Sequence, residues 1–213
     1  MSIIDTSHGR VRVIDIVVLV AMAGTSGAAI IFHSYGPVGM RYAVPAIVLP
    51  SMIVLAGVVF LGKRRPDRFA IITDRVVAGA LWGLLATFAY DAIRPILVWI
   101  FDFTFDPYKA MPVFGSLILD RPVDDVASEL VGWGYHFWNG IGFGIMFALV
   151  RPRGPWWHGL IWGVFLEGIM IIVYPEFLDA QIDDVGFLTT GFVGHAVWGI
   201  VLGAGLKKWG PRV

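Results

Sequence analysis

Six runs of mostly apolar residues, each about 20 long, constrain this 213-residue chain more than any motif does. They lie at residues 13–35, 43–61, 76–101, 130–150, 156–174 and 187–206. A helix of about 20 such residues spans the hydrocarbon core of a bilayer, because it satisfies its own backbone polar groups where no water can. Composition agrees, with 57% hydrophobic and 15% charged residues, against roughly 45–50% and about 25% in a soluble domain. The expected fold is all-α, a polytopic membrane bundle of six transmembrane helices making one integral membrane domain over residues 1–213. Arg10 and Arg12 precede the first run, as in a signal peptide. That run exceeds the about 7–15 residues of a signal core and no small-residue cleavage site follows it, so it is expected to remain as a span.

Basic residues set the expected orientation. Arg10, Arg12, Lys63, Arg64, Arg65, Arg68, Arg75, Arg151, Arg153, Lys207, Lys208 and Arg212 fall on one side of such a bundle; Arg41, Lys109 and Arg121 fall on the other. Cytoplasmic loops retain Lys and Arg, which places both termini inside a bacterial inner (plasma) membrane. The acidic residues Asp102, Asp106, Asp120, Asp124, Asp125, Glu129, Glu176, Asp179, Asp183 and Asp184 then lie outside. The outer connection 102–129 carries Met111-Pro112-Val113-Phe114 and Leu117-Ile118-Leu119, too apolar for a solvated linker. It is expected to lie in the interface or fold over the helices as a lid.

The last four runs look like two copies of one hairpin. Gly79-x-x-Trp82-Gly83 matches Gly159-x-x-Trp162-Gly163, with Pro95 and Pro175 at the same offset. His136-x-x-x-Gly140-Ile141-x-x-Gly144 matches His195-x-x-x-Gly199-Ile200-x-x-Gly203. Glycines four apart share a helix face and let backbones touch, which is expected to bring the two histidine-bearing helices together.

Polar side chains within the runs are few: Asp91 and Arg94, His136 and Asn139, Glu167, and His195. Counted from the helix ends, Asp91, His136, Glu167 and His195 share a layer roughly 9–15 Å below the outer edge. Such residues face the protein interior and mark functional sites. Arg94, three residues after Asp91, can neutralise it on the same face. Glu167 has no cation within a turn, so it must be protonated, paired across helices with Arg94 or a histidine, or bound to a cation.

His136, His195, Glu167 and Asp91 form a ligand set suited to a divalent metal such as zinc, iron or manganese. Arg94 and Asn139 would then orient an anionic or carbonyl-bearing hydrophobic substrate. A metal-dependent enzyme acting on a lipid-borne substrate is the leading expectation. A proton-transfer or transport site is a second, and haem b held by His136 and His195 ranks behind both. A non-catalytic subunit of a larger membrane complex is a further alternative. Cysteine is absent, which removes thiolate metal sites, disulfides and cysteine nucleophiles. Sixteen basic residues balance sixteen acidic ones, leaving no excess charge for nucleic acid. Expected partners are the lipid bilayer, a hydrophobic small molecule and other membrane subunits.

Overall fold

The computed structural model describes residues 3–4, 11–178 and 184–211. Arg10, Arg212, Asp179 and Asp183 lie outside the described residues. Eight helices build the fold among the described residues: α1 (Val13–Ala23), α2 (Thr25–Tyr35), α3 (Met40–Arg64), α4 (Pro66–Phe101), α5 (Ala110–Leu119), α6 (Val126–Val150), α7 (Trp156–Leu178) and α8 (Val185–Trp209). The extended structure among the described residues is a two-residue antiparallel pairing of Ile3–Ile4 with Val11–Arg12.

Among the described residues, four helices are long and apolar enough to cross a membrane: Met40–Arg64, Phe69–Phe101, Trp156–Val173 and Val185–Trp209. The expected first span is broken, with α1 and α2 meeting at a 55° bend. The break falls at Gly24, where the Thr25 hydroxyl donates to the Met22 carbonyl at 2.9 Å and so enters the helical ladder. Counted as one span, the bent pair brings the number to five. α6 is 25 residues long, but His136, Asn139 and its glycines lower its apolar character. It is an interior helix, packed by α1, α4 and α5.

The exterior is apolar and the interior partly polar, the reverse of a soluble protein and what a lipid solvent selects. Ile53, Trp99 and Ile172 are 71%, 81% and 69% exposed, whereas Ser26, Thr87, Asn139 and Thr190 are buried. α4 starts ten residues earlier than the expected span, with Arg65 alone separating it from α3. Within it, Arg75 donates to the carbonyl of Leu149 at 3.1 Å and so satisfies an open acceptor at the end of α6.

α4 is the axis of the bundle, contacting α6 on one side and α8 on the other, while α7 packs on α8. The glycine motifs explain this arrangement and correct the expected pairing. Gly144 and Gly140 do not face the other histidine-bearing helix; they meet Gly79 and Gly83 of α4. A Cβ on Gly79 would lie 2.7 Å from the Gly144 carbonyl oxygen, and one on Gly83 would lie 2.5 Å from that of Gly140. On the other side, a Cβ on Gly159 would lie 2.8 Å from the Gly203 Cα, and one on Gly163 would lie 3.3 Å from the Gly199 Cα. Close glycine contacts are local to a hairpin because consecutive antiparallel helices are adjacent in space.

The connection from Asp102 packs on α4 and α6. It contains α5, which buries Ala110, Met111 and Phe114 against α6. α4 and α5 both end at an aspartate in the left-handed region, Asp102 (φ 52°) and Asp120 (φ 57°), a conformation that Asp tolerates better than most residues. α6 and α8 both begin at an aspartate cap: Asp125 accepts from Ala127 N–H at 2.8 Å and Asp184 from Phe187 N–H at 3.0 Å.

Candidate functional site

Both histidines stand 11 residues after their capping aspartates, Asp125 and Asp184. On a helix this equals about three turns, so the caps fix both imidazoles at the same depth below the end carrying α5. Each meets a carboxylate from its own hairpin partner. His136 Nε2 lies 3.0 and 3.1 Å from the two oxygens of Asp91. His195 Nδ1 lies 2.7 Å from Glu167 Oε2 and 3.1 Å from the Gly191 carbonyl. Glu167 sits one turn deeper than Asp91 relative to the glycine motif of its helix. A deeper carboxylate reaches the nitrogen near the backbone, and a shallower one the nitrogen at the ring tip.

The four expected metal ligands therefore form two acid–histidine pairs instead of one cluster. Among the described residues no three of His, Asp and Glu come together in a way that holds a metal ion. The physical reason is α4, which stands between α6 and α8 and fills the gap with Tyr90. That ring packs on His195 at 4.8 Å and on His136 at 5.9 Å between centroids. Of the fates open to Glu167, the one realised is pairing with a histidine across helices.

Arg94 completes the site. Its guanidinium lies over the Tyr90 ring at 4.6 Å and donates through Nη2 to the Pro107 carbonyl of the lid. The expected neutralisation of Asp91 is loose, with Nη1 3.8 Å from Oδ1. Nε and Nη1 of Arg94, Oδ1 of Asn139 and Oε1 of Glu167 are buried without a hydrogen-bond partner. Such atoms cost about 1–3 kcal/mol each, more when charged, unless water or a ligand satisfies them. Gly191 makes room for the Glu167 carboxylate, since a Cβ there would collide with Oε1.

Arg94, His136, Asn139 and His195 all line one cavity of about 50 Å³, walled by Phe143, Leu166 and Met170 and closed by Met111 and Phe114 of α5. A second cavity of about 30 Å³ lies beside it, against Arg94, Glu167 and the lid residue Pro107. Each can hold water or a small polar head. His195 Nδ1 faces two acceptors, so it carries the proton and leaves Nε2 as the ring's basic nitrogen. An imidazole fixed in one tautomer by a carboxylate is the arrangement that accepts and returns a proton.

Tyr90, Thr87 and Tyr108 were not among the expected site residues. Tyr90 precedes Arg94 by four positions, the spacing that places two side chains on one helix face, so that signal was present. Thr87 bridges by accepting from Trp198 Nε1 at 3.2 Å. Tyr108 donates to the Asp91 carbonyl at 2.9 Å and pins the lid to α4. Its partial burial, and then the Asp91 charge, raise the phenol above its ordinary pKa of 10.0, so it stays a donor at neutral pH.

The fold and the site define a helical membrane protein with two carboxylate-held histidines, His195 buried and His136 partly buried, on either side of one tyrosine. No protein-family model, curated protein or solved structure matches the chain.

Proposed function

We propose that this protein binds the anionic or carbonyl-bearing head of a hydrophobic molecule inside the membrane, with His136 and His195 exchanging protons with it. The observation that carries this reading is the buried Arg94, whose Nε and Nη1 lack hydrogen-bond partners beside a cavity shared with both imidazoles. A carboxylate there would accept from the guanidinium and from the Asn139 amide, and would add the negative charge that Arg94 and an imidazolium can balance. The bundle is read as six spans with α6 as the fourth, and both termini on the cytoplasmic side of a bacterial inner membrane, on the strength of the basic-residue bias. The matched glycine contacts, aspartate caps and acid–histidine pairs support reading α4–α6 and α7–α8 as copies of one hairpin.

Oleate and methyl oleate binding to the detergent-purified protein tests this reading. Arg94→Met is expected to weaken oleate by about 10- to 100-fold, the worth of a charge-assisted hydrogen bond, and Arg94→Lys to recover part of it. Equal oleate affinity in wild type and Arg94→Met rejects the reading. The division of acids and imidazoles into two pairs favours this over a single metal centre, so elemental analysis is expected to give well under one equivalent of zinc, iron or manganese. A full equivalent, lost in both His136→Ala and His195→Ala, would reverse that preference.

A further inference from the structure

Between the bent α1–α2 pair and α7 runs a second kind of cavity, an apolar groove of about 250 Å³. Its lining contains no ionisable side chain; Gly24, Gly27 and Ala28 face Met146, Phe165 and Ile169. The one polar hydrogen in its wall is satisfied, as Trp162 Nε1 donates to the Phe143 carbonyl at 3.3 Å. The two glycines keep the groove open. A Cβ on Gly24 would lie 3.1 Å from Met146 Sδ, and one on Gly27 3.0 Å from Phe143 Cζ. Ile31 and Phe165, both largely exposed, place its mouth on the apolar outer surface.

The groove is continuous in its walls with the polar site. Phe143, Leu166 and Met170 line both, and Met170 also lines the small cavity beside Glu167. Methionine is unbranched and rotates freely, so it can swing aside where a branched residue would block. The bend at Gly24 thus borders a lipid-facing slot that shares Phe143, Leu166 and Met170 with the cavity lined by Arg94 and the imidazoles. At about 250 Å³ the groove falls just below the about 300–1,000 Å³ typical of ligand pockets. A groove of that size encloses part of a single chain, with the remainder lying along its open mouth.

We propose that this groove is the tail subsite and lateral entry for a single-chain carboxylate amphiphile, with Met170 as the movable residue between tail and head. The proposal rests on the reading that Arg94 holds the head, and the test separates the two.

A fatty acid bearing a mid-chain diazirine, photolysed with the full-length protein in nanodiscs and mapped by peptide mass spectrometry, reports where the tail lies. Crosslinks are expected on residues 24–31 and 162–173 and should fall at least tenfold with excess oleate. Ala28→Phe, which fills the groove, should remove them; Ile169→Trp serves the same purpose if the first variant does not elute as folded protein. Labelling spread over the lipid-facing sides of α3 and α4, or uncompeted by oleate, means bulk lipid only and overturns the proposal. Groove labelling that is competed by oleate but unchanged in Arg94→Met keeps the tail subsite and overturns the head reading. Arg94-dependent oleate binding without groove labelling does the opposite.

Discussion

Glu167→Ala is expected to be among the most destabilising single substitutions in the bundle, by about 3 kcal/mol or more, the cost of leaving a buried hydrogen-bond donor without its carboxylate acceptor together with that of the cavity opened. Glu167 is 2% exposed and His195 5% exposed, so neither loss is repaired by solvent. Removing the carboxylate leaves the Nδ1 proton with only the Gly191 carbonyl, and opens a void where Oε1 now fills the space over Gly191. Glu167→Gln keeps an acceptor for that proton and should cost less than half as much. The double variant Glu167→Leu/His195→Leu removes both polar groups together, and should be more stable than the sum of its single variants by about 1–3 kcal/mol. Unfolding followed in mixed micelles measures all five variants, Glu167→Leu and His195→Leu included. Additive losses would mean that the two side chains stabilise the fold independently, and that the 2.7 Å contact is not a coupled pair.

The contrast between this pair and the expected metal cluster shows what a sequence of this kind conceals. Depth along a helix is legible, because it needs only a residue count and a rise per residue: the two capped histidines do sit at one level, with Glu167 one turn deeper than Asp91. Azimuth is not. Common depth makes Asp91 and Glu167 candidates for one centre, yet each turns toward the histidine of its own hairpin. What decides this is the position of α4 between α6 and α8, a tertiary fact that leaves no periodicity in the chain. The glycine motifs failed in the same way: their spacing correctly marked close backbone contact, but not which helix supplied the other backbone. The break at Gly24 was legible only as a weak composition signal, Gly-Thr-Ser-Gly within an apolar run. The lid was clearer, since a run of apolar residues in an outer loop has to bury itself somewhere. Its contribution of the Pro107 carbonyl and the Tyr108 hydroxyl to the site has no sequence signature at all.

The same geometry makes opposite predictions for glycines that look alike in the sequence. A Cβ on Gly144 would lie 2.6 Å from the Gly83 Cα, and one on Gly159 would lie 2.8 Å from the Gly203 Cα. Backbone cannot move aside as a side chain can, so the helices must separate along their whole contact. Gly144→Leu and Gly159→Leu should each lose about 3 kcal/mol or more, at or beyond the upper end of ordinary overpacking, and even the alanine variants should be measurably less stable. Gly57 and Gly168 also lie inside helices, but a Cβ on either meets nothing within 4 Å. There, alanine removes the conformational penalty of glycine and should be neutral or stabilise by up to about 1 kcal/mol. Thermal unfolding of the alanine series in detergent gives the sign of each. If the two groups respond alike, glycine is serving only helix flexibility in this chain. If Gly144 and Gly159 lose comparable amounts while Gly57 and Gly168 do not, the two hairpins depend on the same kind of contact. The acid–histidine pair each one carries is then held in place by backbone touching backbone, which is how a bundle with so little hydrophobic drive between its helices can keep buried charges in register.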